Sequence, residues 1–184
     1  MSSQPLDPGG KPKGVVLVVD DDAINRNMLK NFLEHEGYST REAPDGDEAL
    51  RLVAESFPDV ILLDVVMPKL SGLEVCRRLK ADPKTAHLPI LLVTALTERE
   101  ARLKGIEAGA DDFIAKPMDR EEVALRLRNA IRTKRLFDEL QARYDQLRQM
   151  QELRDSLTQM LVNDTQSMKR MLGGTTRPAD RNGA

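Results

Sequence analysis

The chain has 184 residues, a formal net charge of −2, no tryptophan, one cysteine and two histidines. That length suits one ordinary domain plus an extension. The charge balance gives no global basic field for nucleic acid, scarce aromatics argue against a base-stacking surface, a lone Cys76 excludes an internal disulfide framework, and His35 and His87 lack partners at metal-ligand spacing.

Residues 1–13 are Pro, Gly and polar residues without an apolar segment, which reads as a flexible leader and not a signal peptide. Gly9-Gly10-Lys11-Pro12-Lys13-Gly14 has the flavour of a phosphate loop. It lacks the required spacing and no strand precedes it, so it reads as a linker. No apolar run approaches the roughly 18–20 residues that span a bilayer, and the expectation is a soluble cytoplasmic protein with no membrane partner. Val15 to Val19 form a strand buried on both faces, ending in Asp20-Asp21-Asp22. A helix follows with Ile24, Met28 and Phe32 on one stripe and Leu29 and Leu33 beside it, and Gly37 stops it. Tyr38 to Ala43 is a weaker strand, expected near a sheet edge. Pro44-Asp45-Gly46 is turn chemistry. Ala49, Leu50, Val53 and Ala54 then mark a short helix before Pro58.

Val60-Ile61-Leu62-Leu63 is again a run buried on both faces, and it delivers Asp64 at its carboxyl end, four residues before Pro68. Ser71 caps a helix carrying Leu73, Cys76 and Leu79, with Cys76 a small core hydrophobe rather than a reactive thiol. Pro89 to Val93 is the fourth strand and ends in Thr94-Ala95. Thr97 with Glu100 is a capping box that opens a helix running to Gly109. Phe113-Ile114-Ala115 is a short fifth strand ending in Lys116-Pro117, and Asp119 with Glu122 starts the last helix. Strands alternating with helices in this way predict a doubly wound α/β fold: a five-stranded parallel sheet with right-handed crossovers.

In such sheets ligands sit beyond the carboxyl ends of the strands. Those ends carry Asp20 and Asp21 on the first strand, Asp64 on the third, Thr94 on the fourth and Lys116 on the fifth. In a flavodoxin-like order, 2-1-3-4-5, the first and third strands are neighbours and three carboxylates converge. Their repulsion calls for a hard divalent cation, and all-oxygen ligands with room for water suit Mg²⁺. Lys116 adds a positive point charge and Thr94 a hydroxyl donor. Together these groups suit in-line phosphoryl transfer onto Asp64. Asp22, Asp111 and Asp112 are read as solvated or capping carboxylates.

The set Val18-Val19-Asp20-Asp21, Leu63-Asp64 through Met67-Pro68-Lys69-Leu70-Ser71-Gly72, Val93-Thr94-Ala95, Ala108-Gly109-Ala110-Asp111-Asp112-Phe113 and Lys116-Pro117 resembles the bacterial two-component receiver family, over residues 14–133. The resemblance implies that Asp64 accepts phosphate from a phosphohistidine on a sensor histidine kinase or phosphotransfer protein. It implies Mg²⁺ held by Asp20, Asp21, Asp64 and the main-chain carbonyl of Val66, phosphoryl contacts from Lys116 and Thr94, and a cis Lys116–Pro117 bond. It also implies a switch that couples Thr94 to Phe113, here without a phenolic hydroxyl. Val66 is apolar and is expected not to orient an attacking water, so that the phosphoryl group persists.

From Asp119 to Leu172 there is neither proline nor glycine, and good helix formers predominate. Leu136, Leu140, Leu147, Met150, Leu157, Leu161, Met168 and Met171 recur at mostly three-, four- and seven-residue steps. They predict one helix continuous with the fifth receiver helix, roughly 80 Å long. Residues 134–172 are expected to pair as a parallel coiled-coil homodimer, with Arg143, Arg154 and Asp164 on the seam making the pairing weak or adjustable. Leu153 to Asp164 resembles the dimerisation helix of a sensor histidine kinase, but Asn163 stands in the place of its phosphorylatable histidine. No ATP-binding domain follows, and kinase activity is not expected. Residues 173–184 read as a disordered tail. The sequence thus predicts a phosphorylation-controlled response regulator that is not itself an enzyme and binds no DNA. The alternative is a constitutive dimeric scaffold on a receiver fold. An aspartate-nucleophile phosphatase would need a second carboxylate where Val66 stands.

Overall fold

The computed structural model describes residues 12–95 and 99–173. The expected capping residue Thr97, most of the expected leader, the glycine-rich stretch up to Lys11 and residues 174–184 lie outside the described residues, as does the Glu100 side chain. The element order is β1 (Val15–Val19), α1 (Ala23–His35), β2 (Ser39–Ala43), α2 (Gly46–Glu55), β3 (Val60–Asp64), α3 (Gly72–Ala81), β4 (Ile90–Thr94), α4 (Arg99–Glu107), β5 (Asp112–Ala115) and α5 (Arg120–Gly173). The strands form a five-stranded sheet in the order β2-β1-β3-β4-β5, with every pairing parallel. This is the flavodoxin-like order that the sequence predicts.

Alternation along each strand explains why the apolar runs are continuous. Leu17, Val19, Ile61, Leu63, Ile90 and Leu92 face one side and pack with Ala49, Val53, Val75, Cys76 and Leu79 of α2 and α3. Val16, Val18, Val60, Leu62, Leu91, Val93 and Ile114 face the other and pack with Leu29, Leu33, Val123, Leu127 and Ile131 of α1 and α5. Each such side chain, fully buried, contributes about 1.5–3 kcal/mol of transfer free energy, so the three central strands anchor the sheet. β2 lies at the edge, as its polar sequence predicts, and only Ala43 of it is buried.

Helix starts follow local chemistry. Asp22, Asp45 and Ser71 cap α1, α2 and α3 by accepting from the amides of Ile24, Glu48 and Glu74. Asp119 accepts from the Glu122 amide at the start of α5 (2.9 Å). One expectation is corrected. The stripe of Ile24 and Met28 on α1 does not face the core, for Ile24 is 78% exposed and Met28 46%. The sheet-facing side carries Arg26, Leu29, Lys30 and Leu33, spaced as one helical face. Arg26 and Lys30 donate from that side to the Asp20 carbonyl (2.7 Å) and to Glu42 (2.8 Å). Phe32 alone of the expected stripe packs against the core.

The chain divides into two compact units, Met1–Phe137 and Asp138–Ala184. In the second, the described side chains of α5 are exposed throughout. No helix among the described residues is long and apolar enough to cross a membrane.

Candidate functional site

β1 and β3 run side by side with Val19 opposite Leu63, so the next residues, Asp20 and Asp64, emerge together at the carboxyl edge. Asp20 and Asp64 are buried and Asp21 is exposed, and the three offer carboxylate oxygens within 4.8 Å of one another. β4 and β5 bring up the opposite wall. Thr94 lies opposite Ala115 in the ladder, and the Lys116 amide donates to the Thr94 carbonyl (2.8 Å), which fixes where the lysine side chain departs. Its Nζ lies 2.9 Å from Asp64 Oδ2 and 3.2 Å from Asp20 Oδ2. The Lys116–Pro117 peptide is cis. Thr94 is buried beside it.

Asp20 is held from several sides. Its Oδ1 accepts from the Asp22 amide (2.8 Å), and Asn25 Nδ2 lies 3.5 and 3.4 Å from its two carboxylate oxygens. Neither Asn25 nor Arg26 is legible as a site residue in the sequence. The available signal was position: both lie in the first turns of the helix that follows the acidic triplet, one turn from a group that needs donors.

Burial pushes the Asp64 carboxyl above its usual range. The hydrogen bond and charge of Lys116 pull it down, Asp20 pushes it up, and a hydrogen bond donated by the Val66 main-chain N–H pulls it down, with the net effect upward. For Lys116, burial works to lower the pKa, but Asp64 and Asp20 outweigh it and the ammonium is held more firmly than usual. One ammonium pairs with two carboxylates of a cluster of three. At about 4 Å, a pair of unit charges interacts by roughly 1 kcal/mol in water and about 4 kcal/mol near a protein surface, so the surplus negative charge is a standing cost. The donor set is all oxygen and the outer carboxylate is open to solvent, which fits a hard divalent ion that keeps water ligands.

The backbone after β3 passes tightly under α3. A Cβ built on Gly72 would stand 2.0 Å from the Asp64 carbonyl oxygen, so this position admits only glycine without movement. The Gly72 amide also donates to the Val65 carbonyl (3.1 Å). Val66 is 64% exposed at the mouth of the site. Phe113 is half-buried, packs against the core on the β4 side, and lies where a Cβ on Gly105 of α4 would meet its ring at 2.3 Å.

The remaining carboxylates and the thiol are structural. Asp22 caps, as expected. Asp111 and Asp112, read from sequence as solvated or capping, do stay partly open to solvent, and they also make contacts at the amino ends of β4 and β5. Asp111 accepts from the Ile90 amide (2.8 Å) and pairs with Lys80 (2.7 Å), and Asp112 pairs with Arg126. Cys76 is buried with Sγ 3.4 Å from the Ala108 carbonyl, and burial pushes its thiol up to about 11. A cavity of about 400 Å³ lined by His87, Pro89, Asp111, Arg126 and Phe137 lies near the amino ends of β4 and β5 and includes none of the acidic cluster.

A doubly wound sheet with an acidic cluster, a lysine and a buried hydroxyl gathered at its carboxyl edge is an α/β domain with its candidate site where this architecture keeps ligands. The family model of the response regulator receiver domain matches residues 16–128, and the chain belongs to that family. Among curated proteins it is 46% identical over 128 residues to response regulator PleD of Caulobacter vibrioides, covering 70% of this chain and 28% of PleD. It is 44% identical over 124 residues to response regulator MprA of Mycobacterium ulcerans, covering 67% of this chain and 53% of MprA. The chain thus spans between about a quarter and about half of these relatives. Among solved structures, a Francisella response regulator receiver domain matches with a TM-score of 0.61 at 32% identity, covering 65% of this chain and 98% of that one. The receiver domain of a Pseudomonas aeruginosa sensor histidine kinase, solved with a magnesium ion coordinated in its active site cleft, matches with a TM-score of 0.61 at 30% identity, covering 64% of this chain and 97% of that one.

Proposed function

We propose that the protein is a phosphorylation-controlled response regulator in which Asp64 accepts a phosphoryl group from the phosphohistidine of a sensor kinase or phosphotransfer protein. The observation that carries this reading is the Lys116 ammonium, 2.9 Å from Asp64 and 3.2 Å from Asp20, in a pocket where the carboxylates outnumber it. Asp20, Asp21, Asp64 and the Val66 carbonyl would hold Mg²⁺, an ion reported in the site of the Pseudomonas receiver. When bound, the ion supplies positive charge to the phosphoryl oxygens.

In the transfer, an Asp64 carboxylate oxygen attacks phosphorus and a new P–O bond forms. The donor imidazole reacts with its other ring nitrogen protonated, so when the P–N bond breaks the released nitrogen keeps the electron pair and the donor leaves as neutral histidine. Lys116 stabilises the equatorial oxygens as charge builds there, and Thr94 donates its hydroxyl to one of them. The acyl phosphate then favours one of two pre-existing conformations through Thr94 and Phe113. Phe113 acts by packing alone, since it has no hydroxyl.

The domain boundary falls near residue 133, and residues 134–172 of α5 carry the change outward through pairing with a second copy. The sequence draws that pair as parallel. The downstream target is a protein.

Incubation with acetyl phosphate and Mg²⁺ tests the site. Intact-mass measurement is expected to show one phosphoryl group on the wild type and none on Asp64→Asn. A folded wild type that takes up none would instead support the constitutive scaffold.

A further inference from the structure

Beyond Asp138, α5 carries an apolar row left open to solvent. Leu147, Met150, Leu157, Leu161, Met168 and Met171 are each more than half exposed. Arg154 and Asp164 complete the same row, so that its members recur at alternating steps of three and four, the seam spacing of a two-stranded coiled coil. An uncovered seam of this length calls for a partner helix.

The seam charges choose the direction of that partner. In a parallel pair in register, each seam residue meets its own copy. Arg143 then faces Arg143, Arg154 faces Arg154 and Asp164 faces Asp164, like charges in a groove that excludes water. Reverse one chain and set Leu157 opposite Leu161 of the other. The seam then joins Met150 to Met168, Leu147 to Met171 and Arg154 to Asp164, each pair occurring twice about a two-fold axis. Every apolar seam residue from 147 to 171 meets an apolar one, and both charges meet their opposites. Arg143 falls beyond the overlap. Met160, 61% exposed, sits next to the axis and flanks its own copy. Sliding one chain by a heptad either way sets Asp164 against Leu147 or Leu161 and Arg154 against Leu157 or Met171. The charge pattern therefore selects one register as well as one direction. Within the single chain, the Arg154 guanidinium pairs with the neighbouring Asp155 (3.1 Å), an exposed pair that holds it weakly.

We propose that residues 147–171 form an antiparallel two-stranded coiled coil with a second copy of this chain, in the register that joins Arg154 to Asp164. This rests on the reading that α5 self-associates, and it replaces the parallel arrangement drawn from the sequence. The two chains then enter the paired segment from opposite ends.

The experiment uses the full chain. Single variants Met150→Cys and Met168→Cys are oxidised separately and mixed, with the buried Cys76 thiol as a silent background. A disulfide between positions 150 and 168 in the mixture, and little in either variant alone, is expected. Efficient linking of position 150 to itself would overturn the direction. In sedimentation, Arg154→Asp and Asp164→Arg are each expected to weaken association about tenfold or more, and the double variant to restore it. Singles without effect, or a double no better than the singles, would overturn the register. A wild type that stays monomeric to roughly 100 µM would sink self-association itself, a result distinct from a dimer of the wrong orientation.

Discussion

Val66 stands open to solvent two positions after Asp64, where a polar side chain would be placed to orient water toward an acyl phosphate. An isopropyl group has no donor or acceptor, so an acyl phosphate formed on Asp64 would hydrolyse without that help. Val66→Asn is expected to shorten the lifetime of the phosphorylated protein by about tenfold, as positioning of a nucleophile allows. Following loss of the phosphoryl group by intact mass checks this, and equal lifetimes would refute it. Cys76 gives a second prediction. Its thiol sits above the usual 9.0, at about 11, because burial penalises the thiolate. The native protein should resist iodoacetamide through pH 9 and label only on unfolding. The sign for stability follows: the contribution is present below pH 9 and is lost as pH rises through about 11. Labelling of the native protein at pH 9 at the rate of a free thiol would contradict it. Asp20, Asp64, Thr94 and Lys116 are legible in sequence because each terminates a strand, and strand ends are where this architecture gathers side chains. Asn25 and Arg26 are not, because donors to Asp20 are chosen by the first turns of a helix rather than by a strand end.

Among the elements, the loop from β3 to α3 is the least tolerant. Gly72→Ala would drive a methyl into the Asp64 carbonyl at 2.0 Å, and that atom is backbone that cannot swing aside. A loss of about 3 kcal/mol or more is expected in urea unfolding, at the upper end of overpacking costs, together with weakened phosphoryl uptake. A variant as stable and as active as the wild type would refute the close approach. The strands were readable because a parallel sheet covered on both faces demands unbroken apolar runs, as at Val60 to Leu63. The face of α1 was not. Counting apolar residues selects Ile24 and Met28, whereas the helix turns Arg26 and Lys30 toward the sheet because Asp20 and Glu42 offer their heads acceptors there. Asp111 was similarly opaque, since its pairing with Lys80 and the Ile90 amide joins segments distant in sequence.

The molecule as a whole joins a receiver unit to an exposed helical unit through the single helix α5. If the acyl phosphate controls that helix, crosslinking profiles along residues 136–171 should differ between the free protein and the protein with beryllofluoride and Mg²⁺. Identical profiles would argue that the receiver does not communicate with α5. The alternation of apolar runs with helices made the parallel sheet recoverable, while its order β2-β1-β3-β4-β5 came from the flavodoxin-like pattern that the strand-end residues resemble. Along α5 the apolar spacing defines a seam without a direction, and the proposed direction rests on where Arg154 and Asp164 fall on that seam. Everything downstream depends on Asp64 becoming an acyl phosphate, and borohydride tests that by reducing an aspartyl phosphate to homoserine. After incubation with acetyl phosphate, peptide mass spectrometry should find homoserine at position 64 in the presence of Mg²⁺ and none with chelator. Homoserine at position 20 or 21 instead, or at no position in the folded protein, would contradict the account.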